Sequence, residues 1–142
     1  MKKSRADATA PCPCGSGTPY EACCGRWHCG TLHLLAPTAE ALMRSRYSAY
    51  VLELGDYLLD TWHPSTRPAE PLTFEHGVQW LGLDVKSHRA SREDRAEVEF
   101  IARSKSGGRA HRLQERSRFV REGGRWTYVD GAVGRPDFGT AR

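Results

Sequence analysis

The chain has 142 residues, 39% of them hydrophobic and 27% charged, with a formal net charge of +4. That length holds one ordinary domain plus a small appendage, and no run approaches the roughly 18 apolar residues of a membrane span. Met1-Lys2-Lys3 is followed by Ser4-Arg5-Ala6-Asp7 instead of an apolar stretch, so a cytoplasmic location, with no secretory leader and with reduced thiols, is expected.

Residues 1–10 read as a disordered tail. Next comes Cys12-Pro-Cys14-Gly-Ser-Gly-Thr-Pro-Tyr-Glu-Ala-Cys23-Cys24, two close pairs of thiols around a glycine-rich turn. Thiolates are soft ligands, and four of them close a tetrahedral shell around zinc, the arrangement of a structural site. Gly15-Ser16-Gly17 lets the chain reverse with positive φ and brings N–H groups towards the sulfurs. Disulfides are the weaker reading, because Cys23 and Cys24 are adjacent and Cys12 and Cys14 are one residue apart. Residues 11–30 thus read as a zinc module too small to have a core without its metal. Cys29 is an alternative ligand or a free thiol. Trp27 is either an exposed anchor for a partner or an aromatic that packs the module onto the main domain.

Gly30 to Ala36 reads as a connector. A helix is predicted from Pro37, with Thr38 as N-cap and Glu40 complementing the dipole. Met43, Tyr47, Tyr50 and Leu54 recur at helical spacing and Gly55 reads as its C-cap. Asp56 then caps a short second helix running to Trp62, which His63-Pro64 ends. After a proline-rich stretch the period changes to two. Leu81, Leu83 and Val85 mark a first strand, and Ala96, Val98, Phe100 and Ala102 a second. Gly107-Gly108 turns into a third strand over 110–121, and Gly123-Gly124 into a last one over 125–130. Helices followed by an antiparallel meander make an α+β fold with helices on one face of a curved sheet.

The cysteine segment resembles the SEC-C motif, the small zinc module at the C-terminus of the SecA translocation ATPase and in many bacterial proteins. The resemblance implies Cys12, Cys14, Cys23 and Cys24 as ligands, with Cys24 standing where the SecA form has histidine. A second resemblance covers nearly the whole chain. Pro37-Thr-Ala-Glu-Ala-Leu-Met-Arg-Ser-Arg-Tyr-Ser-Ala-Tyr50, Tyr57 to Thr61-Trp-His-Pro64, and Leu113-Gln-Glu-Arg-Ser-Arg-Phe119 before Gly124-Arg-Trp-Thr-Tyr128 are similar to the YchJ-like family of uncharacterised bacterial proteins. It implies a cone-shaped, nuclear-transport-factor-2-like domain over 37–131, in which helices close one side of a bent sheet and leave a cavity, followed by a C-terminal tail over 132–142. Some relatives carry a second SEC-C motif at the C-terminus; this chain ends at Arg142 without another cysteine pair.

On the third strand His111, Leu113, Glu115, Ser117 and Phe119 share one face, and Arg112, Gln114, Arg116 and Arg118 the other. If the first face lines the cone, Glu115 is a candidate general acid or base, with His111 or Tyr128 assisting; Trp126 and Asp130 would complete the pocket. The competing reading pairs Glu115 with Arg44 or Arg46. The arginine face is a candidate phosphate-binding surface, against which Glu97, Glu99 and Glu122 offer cross-strand partners. Once four thiolates and one divalent ion are counted, the charge falls to about +2. The pI of 8.9 only borders the range above about 9 typical of nucleic-acid-binding domains. The leading expectation is a protein–protein adaptor with a zinc knuckle and a cone-shaped scaffold or small-ligand domain. Resemblance to SEC-C modules implies chaperone, secretion or translation machinery as its partner. An enzyme using Glu115 and a nucleic-acid or ribosome binder are the alternatives, and no membrane association is expected.

Overall fold

The computed structural model describes residues 8–133. Most of the predicted tail over 1–10 and of the predicted tail over 132–142 lies outside them. Ala8 and Ala10 are in the fold: their carbonyls accept from the N–H groups of Glu21 and Tyr20, both at 2.9 Å. Ala132 and Val133 continue the last strand.

Among the described residues a 3-10 turn (Tyr20–Ala22) and three α-helices precede a four-stranded antiparallel sheet: α1 (Gly25–His28), α2 (Ala39–Leu52), α3 (Gly55–Asp60), β1 (Gln79–Arg92), β2 (Arg95–Ser106), β3 (Arg109–Glu122) and β4 (Arg125–Val133). The strands lie in sequence order, each paired with the next. Among the described residues no helix is long and apolar enough to cross a membrane.

Thr38 caps α2 as expected, its Oγ1 accepting from the Ala41 N–H at 3.0 Å, and Glu40 and Arg44 pair one turn apart. The other end departs from the sequence reading. Glu53 takes the left-handed conformation (φ 59°), and the Leu54 N–H reaches back to the Ala49 carbonyl at 2.8 Å. This is a Schellman ending without the usual glycine. Gly55 instead opens α3, where the Phe74 ring lies 3.6 Å from where a Cβ would stand, and Asp56 falls in the first turn, not at the cap. Helix α3 stops at Asp60. Beyond it Trp62 forms a parallel bridge with Tyr128, in which the Tyr128 N–H donates to the Thr61 carbonyl and the His63 N–H to the Tyr128 carbonyl, both at 2.8 Å.

Both Gly-Gly turns have two positive φ angles (57° and 76° at Gly107-Gly108, 60° and 79° at Gly123-Gly124), the geometry that suits the twist of a two-residue hairpin. The alternation of β2 is seen as read: Ala96, Val98, Phe100 and Ala102 are all buried. In β1 a register shift between Trp80 and Gly82 reverses the expected facing of Leu81 alone. Trp80, Leu83 and Val85 pack on the core, while Leu81 is 50% exposed; an extra residue in a strand turns the side chains before it to the other face.

The cysteine module is not a separable bead. Cys12, Cys14, Cys24 and Trp27 belong to one continuous core with Leu42, Tyr57 and Leu58. Trp27 is only 6% exposed, with the Arg26 guanidinium 4.4 Å above its ring. The exposed-anchor reading of Trp27 is therefore corrected, because its apolar surface is spent joining the module to the helices.

Candidate metal centre and cavity

Residues 8–30 fold back on themselves. Pro11 bridges Pro19, the Cys12 N–H donates to the Thr18 carbonyl at 2.9 Å, and the Gly15 N–H to the Cys12 carbonyl at 3.1 Å. Gly15 and Gly17 sit at φ 80° and 86°, where a side chain would be strained. This turn, with the tight stretch from Tyr20 into α1, brings the sulfurs of Cys12, Cys14, Cys23 and Cys24 within 4.8 Å of one another. A tetrahedron with bonds of about 2.3 Å to zinc has sulfurs about 3.8 Å apart; Cys14 and Cys23 are separated by 3.6 Å. The contact with Cys12 pulls the Cys14 thiol well down, while contact with that same Cys12 pushes Cys24 far up, and burial raises Cys23. Sulfurs this close disfavour carrying more than one thiolate charge among them, and a divalent cation relieves that repulsion. The four residues thus form a group able to hold a metal ion. Cys29 stands apart, exposed, with its Sγ 4.0 Å from the Gly25 carbonyl.

Helix α2 holds this centre from behind. Arg44 Nη1 donates to the Cys14 carbonyl at 3.1 Å, and Ser48 Oγ lies 3.5 Å from Cys12 Sγ. Between them the Ser45 carbonyl accepts from His28 Nε2 at 2.9 Å. A carbonyl only accepts, so Nε2 carries the proton and Nδ1 accepts from the Tyr20 hydroxyl at 2.6 Å. His28 is thereby fixed as the neutral tautomer, and its burial lowers its pKa. The sequence names His28 only as a neighbour of the knuckle; nothing in its spacing announces a contact with a helix seventeen residues away.

The next face of α2 lines a cavity of about 320 Å³ between the helix and the sheet. Met43, Arg46, Tyr47 and Tyr50 contribute from α2, Glu115 and Ser117 from β3, Tyr128 from β4 and Trp80 from β1. Glu115 Oε2 accepts from Ser117 Oγ at 2.7 Å and from the Tyr128 hydroxyl at 3.4 Å. Its carboxylate rests on Gly131, where a Cβ would stand only 1.9 Å from Oε2. Burial first, and then the Glu115 charge, raise the Tyr128 pKa, so the phenol stays protonated and donating.

Arg46 is 6% exposed. Its Nη1 donates to the Leu58 carbonyl at 2.8 Å and to Thr61 Oγ1 at 2.7 Å, and its guanidinium lies 5.2 Å and 4.6 Å from the rings of Trp62 and Tyr128. Desolvation lowers its pKa, opposed by the nearby tyrosines and Glu115. Among the described residues, neither Arg46 nor Glu115 belongs to an ion pair. The expected pairing of Glu115 with Arg44 or Arg46 is thus corrected: Arg44 turns to the knuckle, and Arg46 shares the cavity without closing on the carboxylate.

Three other cavity candidates are displaced: Trp126 is buried in the core and does not line the cavity. His111 is exposed beside the Gly107-Gly108 turn, with Nε2 3.3 Å from Ser106 Oγ, and does not line the cavity. Asp130 faces away, held by Arg118 Nε and Nη2 at 2.6 Å each. The cause is a bulge: Arg118 pairs with Asp130 but Phe119 with Tyr128, so the alternation breaks at Val129. On that outer face Arg116 meets Glu99 at 3.7 Å and Arg103 pairs with Asp84. Glu122 instead receives His63 Nε2 at 3.0 Å, while His63 Nδ1 is held by Ser65, a clamp between a turn and the end of β3.

These features agree with what the chain is similar to. A family model described as the middle, NTF2-like domain of YchJ matches residues 38–131, and the SEC-C motif matches residues 9–26. A UPF0225 protein of Methylibium petroleiphilum is 60% identical over 91% of this chain and 93% of its own length. One from Bordetella bronchiseptica is 54% identical over 92% and 98%. The solution structure of a SEC-C motif containing protein from Rhodopseudomonas palustris superposes with a TM-score of 0.75 at 36% identity, covering 89% of this chain and 100% of that one. A crystal structure from Psychrobacter arcticus gives 0.72 at 30% identity, over 90% and 85%. The chain belongs to the YchJ-like family of UPF0225 proteins, an NTF2-like domain preceded by a SEC-C motif.

Proposed function

We propose that this protein is a small-ligand receptor whose binding site is the cavity under α2 and whose knuckle holds one structural zinc ion. The observation that carries this reading is the cavity itself: an aromatic-walled space containing a buried cation and a carboxylate that do not pair with each other. Buried charges normally pair or bind a metal, and concave apolar sites with a few convergent polar groups are where small ligands bind. Zinc suits the knuckle because four cysteines fill its shell and leave no open position for a reacting water. The metal then supplies stability, and the chemistry of recognition falls to the cavity.

The test is native mass spectrometry of the protein purified from its own cells. It is expected to show one zinc per chain and an added small-molecule mass. The small-molecule mass, not the zinc, is expected to vanish in Ala102→Phe, because Ala102 lines the cavity and a phenyl ring there fills it. An added mass that survives this substitution overturns the receptor reading.

An adaptor role for the knuckle, towards chaperone, secretion or translation machinery, is the second reading. Its support is the exposure of Leu32 and Leu35, 44% and 45%, just beyond α1. Affinity purification comparing the intact chain with Leu32→Ser/Leu35→Ser tests it; unchanged recovery of partners removes it. Acid or base catalysis by Glu115 and nucleic-acid binding through the outer face draw less support. Glu115 already accepts from two hydroxyls, and Arg103, Arg116 and Arg118 each meet a carboxylate.

A further inference from the structure

Resting on the receptor reading, we infer that the cavity selects a net-neutral, single-ring ligand of the carboxamide or lactam type. Its carbonyl faces Arg46 and its N–H faces Glu115.

Size comes first. A volume of about 320 Å³ stands at the lower end of ligand pockets, about 300–1,000 Å³, and suits one substituted ring. The walls are aromatic: Tyr47 meets Trp80 edge-to-face at 5.6 Å, and Tyr50 is tilted against Trp80 at 6.3 Å. Planar rings stack on or abut such faces.

Charge comes second. Arg46 is held in the wall by the Leu58 carbonyl and Thr61 Oγ1, both through Nη1. Its other N–H groups donate to no described residue, so the guanidinium retains donors for an acceptor. On the opposite wall, Glu115 Oε2 is occupied by Ser117 and Tyr128, while Oε1 accepts from no described residue. The cavity therefore offers one cationic donor and one anionic acceptor.

Those two charges sum to zero. A carboxylate ligand would satisfy Arg46 but place a second negative charge near Glu115 in a desolvated space. An ammonium would satisfy Glu115 and be opposed by Arg46. Uncompensated buried charge and like-charge juxtaposition are both costly. A neutral amide has an acceptor and a donor on one small group, completes both residues and adds no net charge.

Three ring compounds of nearly equal size separate the possibilities: benzamide, benzoate and benzylamine. Each is titrated into the full, metal-loaded chain while the indole N–H signals of Trp62 and Trp80 are followed by NMR. Benzamide is expected to bind at least about tenfold more tightly than either ion. In Glu115→Gln, which leaves Arg46 unopposed, benzoate is expected to overtake benzamide. If all three bind with equal affinity, or an ion binds best to the native chain, and Ala102→Phe still blocks them, the neutral-ligand inference falls and the receptor reading stands. If benzoate gains nothing in Glu115→Gln, the pairing of roles between Arg46 and Glu115 is wrong. If none of them shifts these signals up to its solubility, or if Ala102→Phe fails to block binding, the inference and the receptor reading fall together.

Discussion

Ser45 and Arg46 are neighbours on α2 that serve different partners. The Ser45 carbonyl accepts from His28 of the knuckle at 2.9 Å, while the Arg46 guanidinium enters the cavity wall beside Tyr128, 4.6 Å from its ring. One helix is therefore the back of the cysteine cluster and the roof of the cavity. A side chain on one helix face cannot shift far without moving the next, because interiors are close-packed.

Removing the metal should consequently be felt beyond the first thirty residues. With a zinc chelator, or in Cys14→Ser, the melting temperature of the whole chain is expected to fall by at least about 5 °C. The indole signals of Trp62 and Trp80 are expected to broaden with it. Differential scanning calorimetry and NMR check this. A melting transition unchanged for the helices and sheet would show that the knuckle is merely appended.

His28 makes a pH prediction. Its burial depresses its folded pKa below the ordinary 6.5, so the unfolded chain takes up the proton first. The stability from neutral His28 is complete above pH 6.5 and is lost progressively as pH falls towards the folded value. In His28→Gln, which keeps a donor for the Ser45 carbonyl, the loss of melting temperature between neutral and mildly acidic pH is expected to be smaller than in the native chain. Acid release of metal from the cysteines is common to both proteins, and the difference between their slopes isolates the imidazole.

Gly131 is predicted to accept a side chain only if Glu115 moves. A Cβ would stand 1.9 Å from Glu115 Oε2 and 2.8 Å from its Cγ, so the whole carboxylate arm must leave Ser117 and Tyr128. Gly131→Ala is expected to cost about 1–3 kcal/mol in urea unfolding. Adding Glu115→Ala should recover most of that loss, because the obstructing group is then gone.

Arg46→Met keeps an unbranched apolar stem but removes the Nη1 donors to the Leu58 carbonyl and Thr61 Oγ1. Leaving such buried acceptors unmet costs about 1–3 kcal/mol per group. A destabilisation of about 2–4 kcal/mol is expected, with benzoate binding abolished even in the Glu115→Gln background. A variant as stable as the native chain would mean that the Thr61 hydroxyl, 3.3 Å away, satisfies the Leu58 carbonyl by itself.

Much of this was legible because it is local. The four clustered cysteines, the Thr38 cap, the β2 alternation and both Gly-Gly turns each depend on a few consecutive residues. What was missed depends on register or on distant packing. One extra residue near Leu81 and another at Val129 turned Trp80 inward and Asp130 outward, and a strict period-two reading cannot anticipate a bulge. Glu53 took the left-handed cap although it is not glycine, and Gly55 opened the next helix instead. The packing reading of Trp27 is the one the fold bears out, whereas His28 gave no clue to its burial, since its partners come from α2 and α3.

The bridge between Trp62 and Tyr128 has a kinetic consequence. Every strand of the sheet pairs with its sequence neighbour through a short turn, so the meander can zip up with small loop-closure entropy. The bridge joins segments far apart in the chain, and docks the helices onto the finished sheet. That latch should close last and open first: weakening it with Trp62→Ala is expected to speed unfolding while leaving the refolding rate nearly unchanged.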